Sequence, residues 1–158
     1  MTTLSQPTVF DTAWSREAGI LGNLLRNAGR PRTSVSIGRP MVALEEVVDE
    51  ARSADWDGYG ARPVAPDVAC YARALLRALP ADWRSKVEIG ADPDGEIVFE
   101  WSVSPRWILT MTINRHGQIA YSGLFGPSQV NGLELFDGEL PSSVASAVGR
   151  VANHKALA

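Results

Sequence analysis

Glu96-Ile97-Val98-Phe99-Glu100-Trp101 decides the fold of this chain. Ile97, Phe99 and Trp101 fall on one side of an extended backbone and Val98 and Glu100 on the other, the period of two that a half-buried strand requires. The same period continues downstream, where Trp107, Leu109, Met111 and Ile113 alternate with Ile108, Thr110 and Thr112. Turn residues punctuate the run. Asp92-Pro93-Asp94-Gly95 separates Val87–Gly90 from Glu96–Trp101, Ser104-Pro105 makes the next break, and Asn114-Arg115-His116-Gly117 leads into Gln118–Gly123. Connections this short force neighbouring strands antiparallel, so the segments form a meander whose apolar face needs helices to cover it. Residues 124–141 read as less regular, with Gly126-Pro127 and Asp137-Gly138 as turns and Leu133–Phe136 as a short strand.

The covering helices lie upstream. One is expected from Pro40 to Ser53, with Pro at its entry, Leu44, Val47, Val48 and Ala51 on one face, and Glu45, Glu46, Asp49 and Glu50 on the other. That acidic run is a solvated face, and also a counterpart for a basic partner. A second helix is expected from Pro66 to Leu79, stopped by Pro80, with Val68, Ala72, Leu75, Leu76 and Leu79 as its buried stripe. Within it Cys70 reads as a small packing residue. A C-terminal helix from Ser142 to Asn153 presents Val144, Ala147, Val148 and Val151, with Ser142 or Ser143 as its cap.

Nearer the start, Trp14, Ala18, Leu21 and Leu25 are spaced as one stripe of a helix beginning at Thr12. Gly19 and Gly22 each cost such a helix about 1 kcal/mol, so it needs a surface to pack on, in its own domain or on another chain. Residues 27–40 are rich in Gly, Pro, Ser and Arg and read as a linker. The sequence thus predicts an α+β fold: an antiparallel four- to five-stranded meander sheet with two helices packed on one face, plus N-terminal and C-terminal helices. Residues 1–39 form an N-terminal arm and residues 40–158 one α+β domain.

Between the two covering helices stands Trp56-Asp57-Gly58-Tyr59-Gly60-Ala61-Arg62-Pro63. Two glycines bracket Tyr59 and permit positive φ on either side, while Pro63 drives Arg62 into extended geometry, so no helix runs through. Trp56 and Tyr59 each join a large apolar body to one polar handle; a loop holding both either staples itself to the core or offers a binding surface. This run, the helix ending Ala78-Leu79-Pro80, and Asp94-Gly95-Glu96-Ile97-Val98-Phe99-Glu100-Trp101 together resemble a family of small, functionally uncharacterised bacterial proteins. In that family a W-[DN]-x-Y-G-A-x-P turn precedes a helix and a D-G-x-I-x-x-E-W strand. The resemblance covers roughly residues 44–123 and implies an architecture without implying a reaction.

Bulk properties narrow the function classes. At 158 residues, 45% hydrophobic and 21% charged, the composition is that of an ordinary globular protein. A net charge of −3 argues against general nucleic-acid binding, which needs a basic face to displace counterions. The charge is uneven: Arg16, Arg26, Arg30, Arg32 and Arg39 stand against Asp11 and Glu17 in residues 1–40, net +3, leaving −6 for the remainder. Cys70 is the single cysteine, which excludes an internal disulfide and fits a reducing compartment. The first residues are polar, no stretch approaches the ~20 apolar residues of a membrane span, and the expected address is the cytoplasm.

No metal site is expected, because one Cys and two distant His, His116 and His154, cannot supply a ligand set. Both histidines read as solvated. Phosphate-cradling glycine motifs and the nucleophile elbow are absent from the sequence, and no cofactor is implied. Catalytic residues are not assigned. The leading expectation is a non-catalytic protein-binding module of a bacterial cytoplasmic system, antitoxin-like in one form. It would bind another bacterial protein, or itself, through Trp14, Leu21, Leu25, Trp56, Asp57, Tyr59 and Arg62. Two alternatives stay open. One is a small enzyme or ligand sensor with an aromatic pocket of Trp56, Tyr59, Trp101 and Trp107, using Asp57 or Glu100 as acid or base. The other is a homo-oligomeric structural protein.

Overall fold

A computed structural model describes residues 40–154. The expected helix of Trp14, Leu21 and Leu25 and the Arg-rich linker lie outside the described residues. The elements are α1 (Pro40–Glu50), α2 (Pro66–Ala78), α3 (Ala81–Arg84), β1 (Glu88–Ala91), β2 (Ile97–Ser104), β3 (Trp107–Ile113), β4 (Gln118–Phe125), β5 (Ser128–Leu135) and α4 (Ser142–Ala152). The five strands form one antiparallel meander in the order β1-β2-β3-β4-β5. This is the expected α+β class.

Alternation places the core. Ile97, Phe99 and Trp101 of β2 pair in register with Ile113, Met111 and Leu109 of β3, and all six are fully buried. Each such side chain contributes roughly 1.5–3 kcal/mol through the water it leaves. On the same face α2 supplies Val68, Ala72, Leu75 and Leu76, and α4 supplies Val144, Val148 and Val151. The C-terminal helix therefore shares the covering role, packing across β2, β3 and β4, while α1 lies against β1 and α2. On the opposite face Glu88, Glu100, Thr110, Ser122 and Asn131 form one polar row across all five strands.

Several local expectations are corrected. Cys70 is exposed rather than packed, because the buried stripe of α2 runs through Val68, Ala69, Ala72, Leu75 and Leu76 and leaves position 70 outside. His116 is exposed at its turn, but His154 is half-buried and stacked on Trp107, ring centroids 3.7 Å apart and planes 4° from parallel. Neither Ser142 nor Ser143 caps α4: Pro141 holds the N-cap position without a side-chain bond, and the Ser143 hydroxyl donates to Glu134. The short helix α3 has no counterpart in the sequence reading. It brings Trp83 under Gly149 of α4, at 3.3 Å from where a Cβ would stand, and its Trp83 carbonyl accepts the Trp101 indole N–H at 2.9 Å.

The largest difference is β5. Its eight residues replace the short Leu133–Phe136 strand, and a two-residue Gly126-Pro127 turn joins it to β4. Only Val130 gives its helix-facing side apolar bulk, since Gly132 and Glu134 share that side. Leu133 and Leu135 point to the other face and are 54% and 68% exposed. An edge strand with so little to bury shows no apolar period.

Candidate interaction site

The Trp56–Pro63 run forms a closed loop held by its own polar groups. After α1, Asp55 takes a left-handed backbone with φ 61°, and its N–H donates to the carbonyl of Ala61 at 2.8 Å. The Asp55 carboxylate accepts the Gly60 N–H at 2.6 Å, and the Asp57 carboxylate accepts the N–H groups of Tyr59 at 2.8 Å and Ala61 at 3.1 Å. Asp and Asn suit such positions because their short side chains bond to backbone a few residues on. Gly58 and Gly60 supply the remaining left-handed steps, at φ 74° and 86°. The Val64 N–H then donates to the Ala51 carbonyl at 2.8 Å, closing the loop on the end of α1.

The two aromatic residues divide the roles that the sequence leaves open. Trp56 is half-buried, packs against the core and donates its indole N–H to the Arg62 carbonyl at 3.0 Å, so it staples the loop. Tyr59 is 87% exposed at the tip. Arg62 is an exposed residue whose backbone is used on both sides: its carbonyl takes Trp56, and its N–H donates to the Pro93 carbonyl at 2.8 Å.

That last bond joins the loop to the β1–β2 turn. There the Asp92 carboxylate accepts the N–H groups of Asp94 at 2.9 Å and Glu96 at 3.0 Å, and Gly95 takes φ 81°. Burial pushes the Asp92 carboxyl up to about 6 from an ordinary 3.8, against the pull of the Glu96 N–H and with the neighbouring Glu96 and Asp94 charges adding to the rise. The sequence marks Asp57 as a candidate site residue, Asp92 only as part of a turn, and Asp55 not at all; the available signal is an Asp two residues before another Asp or before an Asp-Gly turn.

The other proposed site residues are dispersed. Trp101 is 1% exposed and tied to Trp83, while Trp107 packs on Phe125 and His154. Glu100 lies on the sheet face opposite Ile97, Phe99 and Trp101, in register with Glu88. On α1, Glu45 is engaged by Arg73 through two 2.6 Å bonds, which hold its carboxyl below the ordinary range, and Asp49 pairs with Arg52 at 2.9 Å. Trp14, Leu21 and Leu25 lie outside the described residues. Among the described residues no group of three or more His, Cys, Asp or Glu is placed to hold a metal ion, and no helix is long and apolar enough to cross a membrane.

Comparison with known proteins adds no template: no family model, no curated protein and no solved structure matches this chain.

Proposed function

We propose that this chain is a non-catalytic protein-binding module of a bacterial cytoplasmic system that docks another protein through the Tyr59 turn. The observation that carries the reading is the contrast within one loop: Tyr59 is 87% exposed although the N–H groups of Gly58, Tyr59, Gly60 and Ala61 are all engaged. An exposed tyrosine on a braced turn brings a large amphipathic ring to a partner with little further ordering, the property that makes tyrosine a frequent interface anchor. Space beside it is open, since a Cβ at Gly58 or Gly60 would meet nothing within 4 Å. An antitoxin-like neutraliser is one concrete form, with Trp14, Leu21 and Leu25 as a second contact to the partner. Replacing Tyr59 by Ala is expected to abolish partner capture and leave thermal unfolding unchanged; capture that survives the substitution contradicts the reading.

A further inference from the structure

The sheet has two outer edges, and they differ. β1 is four residues long and α1 packs against it. β5 is eight residues long, contains no Pro, Lys or Arg, and pairs with β4 without a register shift. No described residue pairs with its outer side. Exposed edges are ordinarily blunted by shortness, proline, lysine or a bulge, because a row of unpaired N–H and C=O groups invites another strand.

The direction of those groups follows from the turn. Across the two-residue Gly126-Pro127 connection, Phe125 and Ser128 are the first hydrogen-bonded pair. Alternation then turns the backbone groups of Gln129, Asn131, Leu133 and Leu135 outward. We infer that two copies of this chain join β5 to β5 antiparallel about a two-fold axis at Gly132, making one continuous sheet with five strands from each copy. In this register Asn131 faces Leu133 of the partner subunit and Gln129 faces the partner's Leu135, so all four outward residues exchange both backbone bonds. A shift of two residues sets Leu135 against the partner's Pro127, which has no N–H, or Gln129 against the partner's Asp137, beyond the strand.

Side chains agree with that register on both faces. On the helix side Val130 meets Glu134 of the partner subunit. Val130 lines a cleft of about 130 Å³ with Tyr121, Ser143, Ser146, Ala147 and Arg150. The guanidinium of Arg150 lies 4.2 Å from the Phe125 ring centroid, a stacking that uses its face and leaves its N–H edge for a carboxylate. One oxygen of the partner's Glu134 accepts the Ser143 hydroxyl of its own chain, its second oxygen meets this cleft, and the symmetric pair repeats the match. At the axis Gly132 carries no side chain of its own and the Tyr121 ring lies over it, since a Cβ there would sit 2.5 Å from the Tyr121 hydroxyl. On the other face Leu133 lies diagonal to Leu133 of the partner subunit, within reach of a leucine, and its exposed apolar surface leaves water.

Sedimentation equilibrium of the full chain tests this. The wild-type protein is expected to be a dimer, and Asn131→Pro, which removes an outward N–H without touching the ladder to β4, a folded monomer; Leu133→Lys is a second variant with the backbone intact. Glu134→Arg and Arg150→Glu each place like charges across the axis and are expected to raise the dissociation constant roughly tenfold. Mixing the Glu134→Arg protein with the Arg150→Glu protein sets opposite charges against each other at both symmetric contacts, and a heterodimer of restored affinity is expected. A monomeric wild-type chain, an Asn131→Pro dimer as tight as wild type, or a mixture that recovers nothing overturns the proposal. Tyr59 is remote in sequence from β5, and Tyr59→Ala is expected to dimerise normally, so this inference and the docking reading fail separately.

Discussion

The backbone N–H of Arg62 donates to the carbonyl of Pro93 at 2.8 Å, fastening the Trp56–Pro63 loop to the β1–β2 turn. The fit is close enough that a Cβ on Gly95 would stand 2.6 Å from the Pro63 carbonyl oxygen, and Gly95 already has φ 81°. Gly95→Ala therefore combines a left-handed backbone with a backbone collision and is expected to cost about 2–4 kcal/mol. Gly58→Ala and Gly60→Ala meet open space and are expected to cost only about 1 kcal/mol each. Urea unfolding of the three variants checks the order; equal losses would mean that the two turns do not brace each other.

Asp92 gives the fold a pH dependence of defined sign. Its folded pKa of about 6 lies above the ordinary 3.8, so the native state holds this proton where the unfolded chain has released it. Stability from the proton is complete below about pH 4 and is lost as pH rises through 6, by on the order of 3 kcal/mol. Asp92→Asn keeps an oxygen to accept the Asp94 and Glu96 N–H groups and buries no charge. Relative to wild type it is expected to gain about 2 kcal/mol between pH 4 and pH 7 in chemical denaturation. A difference that stays constant with pH would contradict the assignment.

Trp101 links the sheet to α3 through its 2.9 Å bond to the Trp83 carbonyl, and it is 1% exposed. Trp101→Phe removes both the bond and part of a filled volume, and a loss of about 2–4 kcal/mol is expected. Trp56→Phe loses a bond in a half-exposed setting and is expected to cost about 1 kcal/mol. Thermal unfolding distinguishes them; a tolerated Trp101→Phe would show that α3 is not held through this indole.

What can be read in advance follows from how each segment is stabilised. β2 and β3 turn Ile97, Phe99, Trp101, Leu109, Met111 and Ile113 into the core, so their period is written in apolar side chains even though Thr110 and Thr112 are buried on the other face, and Trp107–Ile113 matches the expected strand residue for residue. β5 buries almost nothing and reads short for that reason, while α3 spans four residues and holds its place through Trp83. The turn at Trp56–Pro63 and the stretch Asp94–Trp101, far apart in sequence, meet in space through the Arg62–Pro93 bond and the contact of Gly95 with Pro63. Within the site, glycine and proline announce the turn. Which aromatic faces water is not legible, because Trp56 and Tyr59 differ only in whether the fold offers them a surface.

Tyr59 as a docking anchor on a preformed turn is tested most directly by native mass spectrometry of the tagged full chain purified gently from its own host, with wild type, Tyr59→Ala and an Arg52→Ala control compared side by side. The docking reading predicts a stoichiometric second protein with wild type and the control, lost with Tyr59→Ala while the melting temperature is unchanged. A companion retained by Tyr59→Ala, or no companion with wild type, would contradict it.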